Sequence, residues 1–117
     1  MAEIVDSVKN TPSKIGVALL LNSKLEIVDQ YINDIDVIQF MAIEELGHHG
    51  EPFQDEVLER IKTLRAKYPG VKISVDGGIN LATAKKCLDA GATQLVVGSA
   101  LWKAPDFIEE LQKFQNL

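Results

Sequence analysis

The chain has 117 residues, 46% hydrophobic and 25% charged, a balance that fits one globular domain of ordinary size and excludes disorder by composition. Acidic residues number 17 and basic residues 12, so the formal net charge is −5, which argues against a nucleic-acid footprint. No apolar run reaches the roughly 18 residues needed to span a bilayer, the opening MAEIVDSVKN has no signal-peptide core, and the single cysteine, Cys87, cannot form an internal disulfide, so a reducing cytoplasm is the expected compartment.

Residues 2–10 read as a helix preceding the first strand. That strand is expected in the apolar run Ile15-Gly16-Val17-Ala18-Leu19-Leu20-Leu21, after which Asn22 and Ser23 offer capping oxygens to a helix carrying Leu25, Val28 and Ile32 on one face. A second run, Val37-Ile38-Gln39-Phe40-Met41, leads into a long loop from Glu44 to Gln54. A helix follows with Val57, Leu58, Ile61, Leu64, Arg65 and Tyr68 at helical spacing, stopped by Pro69-Gly70. The third run, Val71 to Val75, ends in Asp76-Gly77-Gly78; Asn80 caps a helix through Ala84, Cys87 and Leu88 that Gly91 terminates. The fourth, Gln94-Leu95-Val96-Val97, ends in Gly98-Ser99, and a last helix is expected from about Pro105 to Phe114, with Pro105 suited to the first turn.

Apolar strands alternating with amphipathic helices imply βαβ units and a parallel sheet. No linker or low-complexity tract divides the chain, so residues 1–117 are expected to form a single α/β domain. A weak internal echo places Asn22 on Asn80 and Val17 on Val75 at an offset of 58 residues, but few identities accompany it.

Two strand ends carry the chemistry. Asp76-Gly77-Gly78-Ile79-Asn80 leaves a strand, turns on two glycines and enters a helix, and Gly98-Ser99 does the same one unit later. Glycine lets backbone N–H groups approach an anion closely, and a helix N-terminus adds a favourable field. Either motif alone reads as a tight turn. Together, in neighbouring units, they form a paired donor cradle for phosphate, as after the last two strands of many (β/α)8 barrels.

The stretches Ile73-Ser74-Val75-Asp76-Gly77-Gly78-Ile79-Asn80, Thr83-Ala84, Ala90-Gly91-Ala92 and Leu95-Val96-Val97-Gly98-Ser99-Ala100-Leu101 resemble the C-terminal part of the ribulose-phosphate 3-epimerase family. Gly16-Val17-Ala18-Leu19, the strand from Asp36 to Met41, Pro52-Phe53 and Ile61…Leu64-Arg65 fit the same family in order, so the similarity runs from about residue 14 to 108. The family is a phosphate-binding (β/α)8 barrel, and only its second half is matched. Four units are half of eight, and such a barrel takes about 200–250 residues. The expected architecture is thus a (βα)4 half of a TIM barrel, a parallel four-stranded sheet with helices outside.

In that family two aspartates act on opposite faces of a pentulose phosphate C3, with a divalent metal stabilising the enediolate. The resemblance implies an acid/base and metal-ligand role for Asp76, and a phosphate-binding role for Gly77, Gly78, Gly98 and Ser99. The second aspartate and the family's metal-binding histidines belong to the N-terminal half, which the sequence does not match, so one chain is not expected to assemble the full site. The loop Met41-Ala42-Ile43-Glu44-Glu45-Leu46-Gly47-His48-His49-Gly50-Glu51-Pro52-Phe53 departs from the family's glycine-rich pattern. Gly47 and Gly50 suit a lid or a phosphate contact. His48 and His49 are candidates for metal binding or proton transfer, weighed against the commoner reading of solvated loop histidines. Glu44 and Glu45 read as bases or, more commonly, loop charges.

Cys87 at helical spacing with Ala84 and Leu88 reads as a buried structural thiol. Trp102 is expected to pack in a core or an interface, and Lys72, Lys85 and Lys86 to lie on solvated faces. Four parallel strands cannot close a barrel, and an isolated half leaves two open edges and an inward face, assigned to Val17, Leu19, Ile38 and Phe40, uncovered. The expected remedy is self-association, either a two-fold closure of eight strands or a face-to-face pairing of half-barrels within a homo-oligomer. Two functional classes follow: a phosphosugar-binding half-barrel with little or no catalysis alone, or an oligomeric isomerase converting D-ribulose 5-phosphate to D-xylulose 5-phosphate. Neither implies a nucleic-acid or membrane partner.

Overall fold

A computed structural model describes residues 14–42 and 53–117. The expected helix over 2–10 and the loop residues Glu44, Glu45, Gly47, His48, His49 and Gly50 lie outside the described residues. The elements are β1 (Gly16–Leu19), two 3-10 turns (Leu25–Gln30 and Ile32–Asp34), β2 (Val37–Met41), α1 (Glu56–Lys67), β3 (Lys72–Asp76), α2 (Leu81–Ala90), β4 (Gln94–Val96), the short α3 (Ser99–Trp102) and α4 (Phe107–Gln115). All strands run parallel in the order β1-β2-β3-β4. This is the expected α/β arrangement, consistent with a (βα)4 half-barrel. Among the described residues, no helix is long and apolar enough to cross a membrane.

Register assigns the faces. Val17, Ile38 and Ile73 share one level, and Phe40, Val75 and Leu95 another. These side chains cluster with Val57, Ile61 and Leu64 of α1 and with Ala84 and Cys87 of α2. Leu19, Ile38 and Phe40 are buried beneath the helices and Val17 packs half-buried beside them, rather than lying uncovered on the inward face, which corrects the assignment of all four made from the sequence. In a strand of period two, a one-residue shift in the choice of face moves every side chain to the other side. The opposite face instead carries Ala18, Gln39, Ser74 and Gln94 at one level and Met41, Asp76 and Val96 at the next. Of these only Ser74 is buried, with its hydroxyl donating to Gln39 Oε1 at 3.3 Å.

The crossover after β1 also differs from expectation. Lys24, not Asn22 or Ser23, precedes the first 3-10 turn, and no side chain caps it. Ser23 Oγ accepts from the Leu20 amide at 3.0 Å, closing a tight turn of its own. Only Val28 of this segment is buried, so one turn of anchoring replaces an amphipathic helix. Asp29 ties the segment to the end of α1, accepting from Lys67 Nζ at 2.6 Å and from the Tyr68 hydroxyl. Arg60 donates to the carbonyls of Leu20 and Ser23 and lies over the Phe40 ring at 5.8 Å.

α1 ends before Pro69-Gly70, as its sequence requires, and Arg65 in its last turn donates to the Gly91 carbonyl at 3.0 and 2.9 Å and to Pro69 O at 2.8 Å. This fork latches the end of α1 to the end of α2. Gly91 has φ +124°, and a side chain there would meet Arg65 Cγ at 2.9 Å, so glycine is required twice over. α4 begins at Phe107, with the Asp106 carboxylate accepting from the Glu109 amide at 3.1 Å; Pro105 stands just outside the helix rather than in its first turn.

Candidate functional site

The site residues gather at the C-terminal ends of β3 and β4. Asp76 closes β3 on the open face of the sheet, in register with Met41 on one side and Val96 on the other. Its carbonyl accepts from the Ala42 amide at 2.7 Å, which fixes the strand end, while its carboxylate projects from the half-buried rim of the sheet. A carboxylate has the chemistry of a general acid or base when a ligand comes within hydrogen-bond reach.

Gly77 and Gly78 follow with φ of 113° and 65°, in the left-handed region that side chains resist. A Cβ at Gly78 would also stand 2.8 Å from the Phe53 amide nitrogen, so the segment entering α1 closes directly over this turn. Asn80 and Thr83 then form a reciprocal cap: Asn80 Oδ1 accepts from the Thr83 amide at 2.9 Å and Thr83 Oγ1 accepts from the Asn80 amide at 2.8 Å. Thr83 Oγ1 lies 3.0 Å from the Gly78 carbonyl, to which it donates, and this orients the turn. The N-terminus of α2 thus satisfies these two donors internally, leaving the glycine turn as the part that can meet an anion.

Gly98 is different. Its φ is −111°, and a Cβ there would meet no described residue within 4 Å beyond its own chain neighbours. Within the described residues no neighbour crowds this position and its φ is negative, so neither of the two reasons that fix Gly78 applies to it. Ser99 opens α3, with Gly98 O accepting from the amides of Leu101 and Trp102 at 3.0 and 3.2 Å. The two glycine turns therefore leave the same end of hydrogen-bonded neighbouring strands, which lie about 4.8 Å apart in a sheet.

His48 and His49 lie outside the described residues, and among the described ones no group of three or more His, Cys, Asp or Glu side chains is arranged to hold a metal. Asp76 alone does not fit a divalent cation, which takes several oxygen or nitrogen ligands. Cys87 is buried, and that burial pushes its thiol up to about 11, so it is a packing residue and not a nucleophile. Lys72, Lys85 and Lys86 are exposed, as expected, with Lys86 pairing Asp55 at 3.7 Å. Trp102 is 78% exposed and leans on the Phe107 ring at 5.2 Å, so it is not a core residue of this chain.

Three contributors are not evident from motifs alone. Gln39 and Ser74 form a polar pair one level below Asp76, and Phe53 roofs Gly78. The signal for the first two lies in their alternation with apolar neighbours, Val-Ile-Gln-Phe-Met and Lys-Ile-Ser-Val-Asp, which marks the non-helix face. Phe53 has no local signal, because its role depends on a contact across 25 positions of chain.

The profile of the Ribulose-phosphate 3 epimerase family matches residues 1–102. Ribulose-phosphate 3-epimerase of Schizosaccharomyces pombe is 31% identical over 114 residues, covering 97% of this chain and 50% of that protein. The Bacillus subtilis protein of the same name is 33% identical, covering 87% of this chain and 49% of its own length. The cytoplasmic isoform of Oryza sativa subsp. japonica is 32% identical, covering 89% and 46%. The chain spans about half the length of these curated relatives.

Proposed function

Because the chain belongs to the ribulose-phosphate 3-epimerase family, we propose that it binds the phosphate of a phosphosugar in the turns Gly77-Gly78 and Gly98-Ser99, with little or no catalysis as a single chain. The observation that carries this reading is the pair of glycine turns on neighbouring strands, one of which, at Gly98, has no crowding neighbour among the described residues. Backbone N–H groups there have room to approach phosphate oxygens without a side chain intervening. Asp76, beside the same cradle, is the residue placed to take or return a proton at a sugar carbon. One carboxylate supplies one face of such a carbon; epimerisation needs a second acid/base group on the other face, which the family resemblance assigns to the half that this chain does not match. A divalent metal would polarise the substrate oxygens in a complete site, but Asp76 alone does not hold one.

The test is a titration of inorganic phosphate and D-ribulose 5-phosphate followed by amide chemical shifts. The Gly77, Gly78, Gly98 and Ser99 amides are expected to move. Gly98→Asp adds a Cβ that meets no described neighbour within 4 Å; with far-UV circular dichroism checking that the fold is kept, it is expected to weaken binding at least about tenfold, or about 1.4 kcal/mol. Absence of binding by the unaltered chain, or unchanged binding by Gly98→Asp, overturns the proposal. A coupled epimerase assay with and without added divalent metal separates the two functional readings, since sustained turnover lost in Asp76→Asn would establish the isomerase.

A further inference from the structure

In a right-handed βαβ crossover, the helix that follows a strand lies over the flank where the next parallel strand will pair. Two helices of this chain have that strand beneath them: α1 buries Val57, Ile61 and Leu64, and α2 buries Ala84, Cys87 and Ala90. The helix after β4 has none. Although α4 is amphipathic, no residue of it is buried, and Ile108 is 60% exposed. Beneath it runs an open groove of about 470 Å³, with Leu88, Leu95, Val97, Leu101, Leu111 and Phe114 as apolar lining and Thr93 and Gln115 as polar lining. Leu95 belongs to β4 and points to the helix side, so the groove continues the core past the edge of the sheet.

The same chain carries a strand that lacks a neighbour. Among the described residues, β1 pairs only with β2 and β4 only with β3. Neither edge, Gly16-Val17-Ala18-Leu19 or Gln94-Leu95-Val96, contains the lysine, proline or other charge with which solvent-exposed edges are normally protected. Their side chains are complementary. β1 directs Val17 and Leu19 to the helix side and the small Gly16 and Ala18 to the other, where β4 presents the larger Gln94 and Val96. A (β/α)8 barrel has eight strands, and two copies of this four-stranded sheet supply eight.

We infer that a second copy of this chain inserts its β1 beside β4, seating Val17 under α4, with the reciprocal pairing closing eight strands around a two-fold axis. A two-fold uses each seat and each unpaired strand once per copy and leaves no edge exposed. It also brings two Asp76 carboxylates to one mouth, completing by symmetry a pair of acid/base groups that a single chain lacks. The inference rests on packing, goes beyond the phosphate proposal, and is tested without ligand, so either can fail alone.

The experiment is multi-angle light scattering of the full chain across a wide concentration range, with hydrogen exchange on the same sample. The expected mass is about 26 kDa, twice the 12.9 kDa of one chain, with slow exchange for outward amides in both Gly16–Leu19 and Gln94–Val96. Leu111→Asp, in the groove, is expected to return the mass to one chain, and Ala18→Asp, at an exposed position of β1, to do the same with unchanged far-UV circular dichroism. A single-chain mass for the unaltered protein overturns the inference. So does a dimer that survives Ala18→Asp, or one whose β1 and β4 edge amides exchange freely, as face-to-face association would leave them.

Discussion

Helices α2 and α4 follow neighbouring strands of one sheet and have opposite fates. α2 is capped by Asn80 and Thr83, stopped by Gly91, latched by Arg65, and buried along Ala84, Cys87 and Ala90. α4 has a cap at Asp106 and an apolar stripe of its own, yet nothing along it is buried. The local signals are similar in kind. The difference is that α2 has strands on both sides of its footprint and α4 has one, which shows how far a helix in a βαβ layer depends on the next strand for its burial.

Core truncation gives the largest contrast between the two kinds of helix. Ile61→Ala in α1, fully buried between β2 and β3, is expected to destabilise by about 2–5 kcal/mol. Ile108→Ala on α4 is expected to cost no more than about 0.5 kcal/mol in the single chain. Urea unfolding of both variants measures the contrast, and equal losses would mean that α4 is as well covered as α1. A smaller effect is expected from Asn80→Ala, which removes one half of the reciprocal cap of α2 and should cost about 1 kcal/mol in the same assay.

The smallest effect concerns Asp29, which joins the 3-10 segment to the end of α1. Its carboxyl is held below its ordinary 3.8, first by the hydrogen bond from Lys67 and then by that from Tyr68. A folded-state value below the unfolded one adds stability above the unfolded value, and that contribution disappears as pH falls through the folded value. Lys67 and Tyr68 are both raised by Asp29, from 10.5 and 10.0, so their contribution is present below those values and lost as pH rises through the raised ones. Asp29→Asn should therefore flatten the acid limb of the stability profile below about pH 4. Because the pair is exposed, the change at neutral pH should be slight. An unchanged acid limb would remove Asp29 from the account.

The two glycine turns form a second contrast. At Gly77 and Gly78 positive φ values account for the residue type, and at Gly78 the approach of Phe53 adds to it. At Gly98 neither reason applies, which is why the phosphate test is placed there. The motif Asp76-Gly77-Gly78-Ile79-Asn80 was legible in the sequence because turn, cap and helix start are encoded within a few residues of one another. The Asn80 cap and the Gly91 stop are legible for the same reason. The crossover after β1 was not, since Asn22 and Ser23 have the chemistry of helix caps while Ser23 spends its oxygen on the Leu20 amide. Local capping chemistry is shared by turns and helices, and tertiary burial decides between them.

The α/β order, the four parallel strands, the glycine turns at the ends of β3 and β4 and the membership of a barrel family of twice this length are all legible in the chain's residues. Each of these rests on short-range pattern: apolar runs, caps and glycines within one turn or one strand. Only the tertiary structure decided which face of the sheet is covered. Leu19, Ile38 and Phe40 lie under the helices, while Gln39, Ser74 and Asp76 line the open side. In a short apolar strand both alternating sets are plausible core, and the choice is made by the helices that pack across it from distant parts of the chain. The same long-range geometry opens the groove beneath α4, where among the described residues no strand follows β4 in the sheet.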